Sequence, residues 1–361
     1  NPILQSYAWI DKYIDLSNKA DIVFGMGFGF HLEVLITSFE NKKIIVVEPN
    51  MELFYQILQV RNMELVIENS ELFVDEDVDV LLGRIQSLFW DTKEGGIQCQ
   101  PFEVYAEMFG DLWEELRSKF IKQARSFNVE IATRRVSGEL WIYNNIKNAN
   151  KLSCASNASG LVDRFKGMPG ILVSAGPSLA KNIHLLNELK DKCVIAAAGT
   201  AVNILEKNNI SPHFMVGIDA KEGEADIHRK VKSDNIYFIY SNQVATGSVE
   251  AYRGPKFHMN YPVDMYTAEF LKYSDIESKF FLSGPSVSNT TFDILYKMGC
   301  DPIIILGQDL AFTEGKKYAG EIEEDKKDFS DNRYVLSRDI HGNEVYTQTS
   351  FLSIKYWFEG Y

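Results

Sequence analysis

The sequence predicts an α/β protein of two Rossmann-like domains with parallel sheets, joined by a helical linker. Three observations predict it. Short apolar runs alternate with helical patterns along most of the chain, as expected for strands buried on both faces. Two of these runs end in a small-residue turn that opens a helix: Phe24 leads into Gly25-Met26-Gly27-Phe28-Gly29, and Val173 into Ser174-Ala175-Gly176-Pro177-Ser178-Leu179. The chain of 361 residues also exceeds one ordinary core, so two domains are expected.

The first domain is expected over residues 1–102. Tyr7, Ile10, Tyr13 and Ile14 follow a helical rhythm. Ala20 to Phe24 reads as a buried strand, and Leu32, Val34, Leu35 and Ile36 mark the helix after the glycine turn. A second strand, Lys43 to Val47, ends at Glu48, about 20 residues on, where dinucleotide enzymes and methyltransferases bind a ribose hydroxyl. Position 30 is Phe, so the G-x-G-x-x-G spacing is not complete. A Rossmann-like scaffold without a working cofactor is therefore expected. An acidic stretch runs from Glu68 to Asp79.

Residues 103–160 are expected to form the helical linker, with Phe109, Leu112, Trp113, Leu116 and Phe120 on one stripe. The second domain is expected over 161–361, with its first strand opening at Gly170. Strands are predicted at 171–173, 194–197, 214–218 and 236–241. Phe280-Phe281-Leu282 leads into Ser283-Gly284-Pro285-Ser286-Val287, and Ile303 to Leu306 reads as a fully buried strand. A helix through Leu185 and Leu189 is expected after the first of these strands. Residues 314–345, rich in charge, read as a long loop or lid.

Composition narrows the function. Hydrophobic residues make up 45% and charged residues 24%, with 23 Phe, 17 Tyr and 5 Trp, which excludes a disordered chain. The net charge of −13 argues against a general nucleic-acid or anionic-membrane binder. Most of that charge lies before residue 150, so it leaves room for a local anion site in the second domain. Cys99, Cys154, Cys193 and Cys300 are far apart and form no CxxC pair, which argues against a zinc ribbon or disulfide framework and suits a reducing cytoplasm. No signal peptide or membrane-length apolar run is read. The opening Asn1-Pro2 and closing Tyr356-Trp357-Phe358 suggest a piece of a longer chain.

The candidate site lies where strands end. The Ser174–Leu179 turn offers backbone donors at a helix start, with Ser178 as the cap, which suits an anion and equally suits a plain capped turn. It lacks the Gly-Lys-Ser/Thr of a P-loop. Thr200, Asp219, Asn242, Ser283-Gly284 and Gln308-Asp309 follow successive strands and set short polar groups along one sheet edge. None of the six His residues has metal-ligand spacing. His341, after the charged loop, is the candidate mobile acid or base. Asp219 and Asp309 are candidates to anchor loops or hold a divalent ion.

The pairing of Ser174-Ala175-Gly176-Pro177-Ser178-Leu179 with Ser283-Gly284-Pro285-Ser286-Val287 and Gly299-Cys300-Asp301-Pro302 through Gln308-Asp309-Leu310 resembles the motility-associated factor (Maf) family of flagellin glycosyltransferases. Trp141-Ile142-Tyr143-Asn144-Asn145-Ile146-Lys147-Asn148 resembles the linker of that family, and the N-terminal module fits its layout. The resemblance implies transfer of a nonulosonic acid, pseudaminic or legionaminic, from its CMP form to Ser or Thr of flagellin, in the cytoplasm. It also implies a C-terminal helical region beyond residue 361.

The second domain is similar to bacterial sialyltransferases as well. That likeness implies a CMP cradle of Ser174, Ala175, Gly176, Ser178, Thr200, Ser283 and Gly284, with Asp219, Asn242, Ser286 and Gln308 beside it. Asp309 and His341 are the candidate catalytic groups; no residue matches the sialyltransferase catalytic His by motif, and His341 is only similarly placed. No cofactor is required on this reading, with Mg²⁺ optional. Archaeal hydroxymethyl-dihydropterin pyrophosphokinases are similar too, which would imply ATP and Mg²⁺ on Asp219 and Asp309. A silent scaffold that docks a flagellar partner is the third reading.

Overall fold

The computed structural model describes residues 1–39, 42–85, 88, 96–262, 264–274, 276–312, 329 and 334–361. The chain divides into two compact units, Asn1–Asn128 and Val129–Tyr361.

The first unit holds β1 (Ala20–Phe24), β2 (Lys43–Glu48), β3 (Glu71–Val74) and β4 (Ile97–Pro101). All are parallel, in the order β3-β2-β1-β4. This is the half-sheet of a doubly wound fold. Successive residues of β1 feed opposite cores: Ile22 and Phe24 pack with Tyr105, Trp113 and Leu116, and Val23 packs with Trp9 and Leu32. The stripe expected on the linker is therefore part of this core. Within the stretch expected as the linker, the helix Gly110–Asn148 begins in the first unit and ends in the second.

The second unit holds β5 (Ser156–Asn157), β6 (Gly170–Val173), β7 (Val194–Ala198), β8 (Phe214–Gly217), β9 (Tyr237–Ser241), β10 (Lys256–Met259) and β11 (Ile303–Leu306). They form one parallel sheet in the order β11-β6-β7-β8-β9-β10-β5. A separate antiparallel pair, β12 (Tyr334–Arg338) and β13 (Glu344–Gln348), precedes the helix Thr349–Gly360.

Several expectations change. β11 is not fully buried: it lies at the sheet edge, pairs with β6, and leaves Ile304 45% and Ile305 39% exposed. Phe280 contributes a single bridge to Asn260 in place of a strand start. The helix expected through Leu185 and Leu189 is broken into short turns, Leu179–Asn182, Ile183–Leu185 and Leu186–Leu189. Of the proposed lid, residues 314–328 and 330–333 lie outside the described residues, and 334–345 belong to the β12–β13 hairpin. Among the described residues, no helix is long and apolar enough to cross a membrane.

Candidate functional site

From β6 the chain steps across the sheet to β10 and then returns to place β11 on the other side of β6. The strand order reverses between β6 and β11. Open α/β sheets bind ligands beyond the carboxyl ends of strands at such a reversal. Two predicted segments meet here. The Ser174 amide donates to Leu306 O at 2.8 Å, and the Gly176 amide to Gly307 O at 2.7 Å. The Ser174 hydroxyl donates to Gln308 Oε1. Ser178 donates its amide to Asp309 Oδ2 at 3.0 Å and its hydroxyl to Asp309 Oδ1.

Glycine makes this approach possible. A Cβ on Gly176 would stand 2.4 Å from Asp309 Oδ1 and 2.5 Å from Gly307 O. Gly307 has a φ of +69°, and a Cβ there would stand 2.3 Å from Ser174 O. Leu310 holds a φ of +51°, a conformation costly for a bulky side chain and one that clusters at functional turns.

The predicted anion cradle is altered by these contacts. Ser178 makes no side-chain cap, and the helix it precedes has four residues, too few for a useful dipole. The Asp309 carboxylate occupies the donors that a phosphate was expected to take. Asp309 thus ties the turn after β6 to the turn after β11.

The other predicted residues are placed as follows. Ser286 caps the helix Val287–Lys297 in a capping box with Asn289, and Gly284 abuts the Asn289 side chain. The Trp357 indole donates to Ser283 O at 3.1 Å, so the helix Thr349–Gly360 covers that turn. The hairpin is anchored at the β11 turn by Thr347 Oγ1 donating to Leu310 O at 2.6 Å and by the Phe312 amide donating to Tyr346 O at 2.9 Å. His341 sits in the exposed turn at the far end of this hairpin, its amide bonded to Asp339. It lies between β12 and β13, outside both strands.

Thr200 is exposed and caps nothing with its side chain. Asp219 is exposed after β8 and accepts from the Lys221 amide at 3.0 Å. Near it lies Glu224, which the sequence reasoning missed. Burial and the Asp219 charge push its carboxyl up to about 8.

Asn242 is buried, 2% exposed, and donates its side-chain amide to Asn145 O at 3.2 Å. It meets a set that sequence reasoning named only as part of the linker segment. Asn144 donates to Ala220 O and Gln243 O at 2.9 and 3.0 Å. Asn148 donates to Asn242 O and Val244 O at 3.0 and 2.9 Å. Three amides at i, i+1 and i+4 of a helix were the available signal. Among the described residues, no group of three or more His, Cys, Asp or Glu is arranged to hold a metal.

The glycine loop of the first unit is filled from within. Glu48, fully buried, accepts from the Met26 amide at 3.1 Å and the Asn50 amide at 3.1 Å. Tyr105 donates its hydroxyl to Glu48 and accepts the Gly27 amide at 3.1 Å. A Cβ on Gly25 would stand 2.3 Å from Tyr105 Cγ, and one on Gly29 2.4 Å from Met63 Cε. The acid expected on a ribose is turned onto its own loop, and side chains occupy the space above the glycines.

Residues 11–77 match the family described as glycosyltransferase Maf N-terminal domain, and residues 143–315 match that described as 6-hydroxymethylpterin diphosphokinase MptE-like. No curated protein matches the sequence. Among solved structures, the chain is similar to the Maf glycosyltransferase from Magnetospirillum magneticum AMB-1, at 17% identity and a TM-score of 0.59. The match covers 100% of this chain and 58% of that one, so this chain spans less than two thirds of its length. Residues 11–77 thus match the Maf N-terminal domain, and the chain shares the fold of that Maf glycosyltransferase along its length.

Proposed function

We propose that this chain carries the donor site of a glycosyltransferase that moves a pseudaminic- or legionaminic-type nonulosonic acid from its CMP form to Ser or Thr of flagellin in the cytoplasm. The observation that supports it most is the union of the Ser174–Ser178 turn with Gln308 and Asp309 at the sheet reversal, in a chain whose residues 11–77 match the Maf N-terminal domain. On this reading CMP lies along the carboxyl ends of β6 to β8. The bond between sugar and phosphate oxygen breaks, and its electron pair leaves with CMP. The acceptor hydroxyl oxygen then bonds to the sugar carbon and gives up its proton. Donors around the leaving phosphate stabilise its charge.

Two roles differ from those the sequence suggests. Asp309 is a positioning residue, since its oxygens hold Ser178. Glu224, after β8 and pushed up to about 8, has the basicity to take the acceptor proton. No metal is required in this scheme.

The test is mass spectrometry of flagellin co-expressed with the protein and with its Ser178→Ala and Asp309→Ala variants. A nonulosonic-acid mass shift that falls in the variants supports the reading, and unmodified flagellin throughout sinks it. The match of residues 143–315 to a diphosphokinase-type family favours a second reading, with ATP and Mg²⁺ held by Asp219 and Asp309. Titration separates them: CMP binding without metal supports the transferase, and Mg²⁺-dependent ATP binding supports the kinase. Binding of neither leaves a docking scaffold.

A further inference from the structure

The carboxyl ends of β9 and β10 hold buried oxygens with no partner. The two strands pair in parallel with Ser241 opposite Met259, and Asn242 and Asn260 are the residues that directly follow this last pair. Asn242 and Asn260 are 2% and 4% exposed, and the side-chain oxygen of neither has a hydrogen-bond partner. Asn145, 3% exposed, lies against Asn242, since it accepts from Asn242 through its backbone, and its own side-chain oxygen is equally unpartnered. The amide groups are not interchangeable at Asn242, because its nitrogen is already donating.

Asn145 also bonds through its side chain to Asp264, which is fully buried. Asp264 also accepts from the Thr267 amide at 3.1 Å and hydroxyl at 2.6 Å and from the Tyr266 amide, and forms no ion pair among the described residues. One buried carboxylate without a counter-charge therefore lies beside three amide oxygens without donors. Buried polar groups are rarely left so, and buried charges are paired or bind a cation.

We propose that Asn145, Asn242, Asn260 and Asp264 form a site for one alkali cation, K⁺ or Na⁺, at the carboxyl ends of β9 and β10. All the unmet atoms are oxygen acceptors, the preference of hard cations. A single carboxylate among neutral amides matches a single charge, whereas divalent sites gather several carboxylates. Water offers two donors and no charge, and leaves Asp264 uncompensated. The site does not depend on the transferase reading.

Thermal unfolding of the full chain in KCl, NaCl and choline chloride at equal ionic strength tests this. A saturable rise is expected in KCl or NaCl and not in choline chloride, about 3–6 °C at ten times the dissociation constant. Asn260→Ala removes the rise. Asn260→Asp, which keeps an oxygen in place and adds charge, retains it at lower salt and stands as the check should the alanine variant fail to fold. Equal midpoints in all three salts overturn the site, as does a rise that Asn260→Ala leaves unchanged.

Discussion

Ser178 gives both its amide and its hydroxyl to the carboxylate of Asp309, 131 residues later in the chain. This contact ties the first strand turn of the second unit to the last. Hydrogen bonds to a charged group contribute about 1.5–3 kcal/mol, and the loss of one acceptor strands two donors. Asp309→Ala should therefore destabilise the second unit by about 2–3 kcal/mol, read by urea unfolding. Ser178→Ala removes one donor and keeps the amide bond, so about 1 kcal/mol is expected. If the two variants cost the same, the carboxylate is not acting as the tie.

Gly176→Ala tests the closeness of the two turns. The added methyl meets Asp309 and the Gly307 carbonyl at once, and the backbone oxygen cannot swing aside as a side chain can. A loss of about 1–3 kcal/mol is expected, with CMP binding weakened in step if the donor site lies here. Gly223→Ala, where a Cβ meets nothing within 4 Å, is the control and should be near neutral.

How far the site was legible in the sequence follows from the range of these contacts. β1, β2 and β6 to β9 announce themselves as apolar runs, because both their faces are covered. β10, Lys256-Phe257-His258-Met259, mixes charge and apolar groups and gives no run, and β5 has two residues. Ile303 to Leu306 has the composition of a central strand yet lies at the edge, since composition does not encode which neighbour arrives. The polar strand ends were readable as positions. Their partners were not: Asn144 meets carbonyls 76 and 99 residues away, and only the folded register sets Asn242 and Asn260 directly after the last pair of β9 and β10. The glycine loop at Gly25 was readable as a turn, but Tyr105, which fills it, comes 78 residues after Gly27.

Tyr105→Phe tests that filled loop. The change removes the acceptor of the part-buried Gly27 amide and the donor to the buried Glu48. A cost of about 1–3 kcal/mol is expected in the first unit. Neither the wild type nor the variant should bind NAD or S-adenosylmethionine by calorimetry, because the ring still occupies the space above Gly25. Tight binding by the wild type would overturn the scaffold reading.

Glu224 sets a pH dependence with a definite sign. Its folded carboxyl titrates near 8 against 4.5 in the unfolded chain, so the folded state holds the proton more strongly. Its contribution is fully present below pH 4.5 and is lost as pH rises through 8. Glu224→Gln cannot lose a proton. The variant should therefore match the wild type near pH 4.5 and gain on it steadily toward pH 8, read as the difference in midpoint between the two. His31 acts in the opposite direction: burial lowers its ring to about 3, so stability falls as pH drops below 6.5. Taking the Glu224→Gln difference cancels that background. A flat difference would show that Glu224 is not perturbed and would remove it as a base.

Asn148 offers the most exacting test of how the second unit holds its site. It is fully buried, and its one amide nitrogen bonds to the carbonyls of Asn242 and Val244, in the turn after β9. Asn144 does the same for Ala220, after β8, and Gln243. The two amides are one helical turn apart and share the segment 242–244, so they act as a unit. Asn148→Ala leaves two buried carbonyls without that donor, and about 2–4 kcal/mol should be lost. Asn148→Asp is nearly identical in shape but presents oxygen to oxygen, so it should cost more than the alanine despite its size. The double variant with Asn144→Ala should lose less than the sum of the two single losses, since either change alone frees the shared segment. Full additivity would mean that the two asparagines hold separate loops. An aspartate variant milder than the alanine would mean that the contact is one of packing and not of donation.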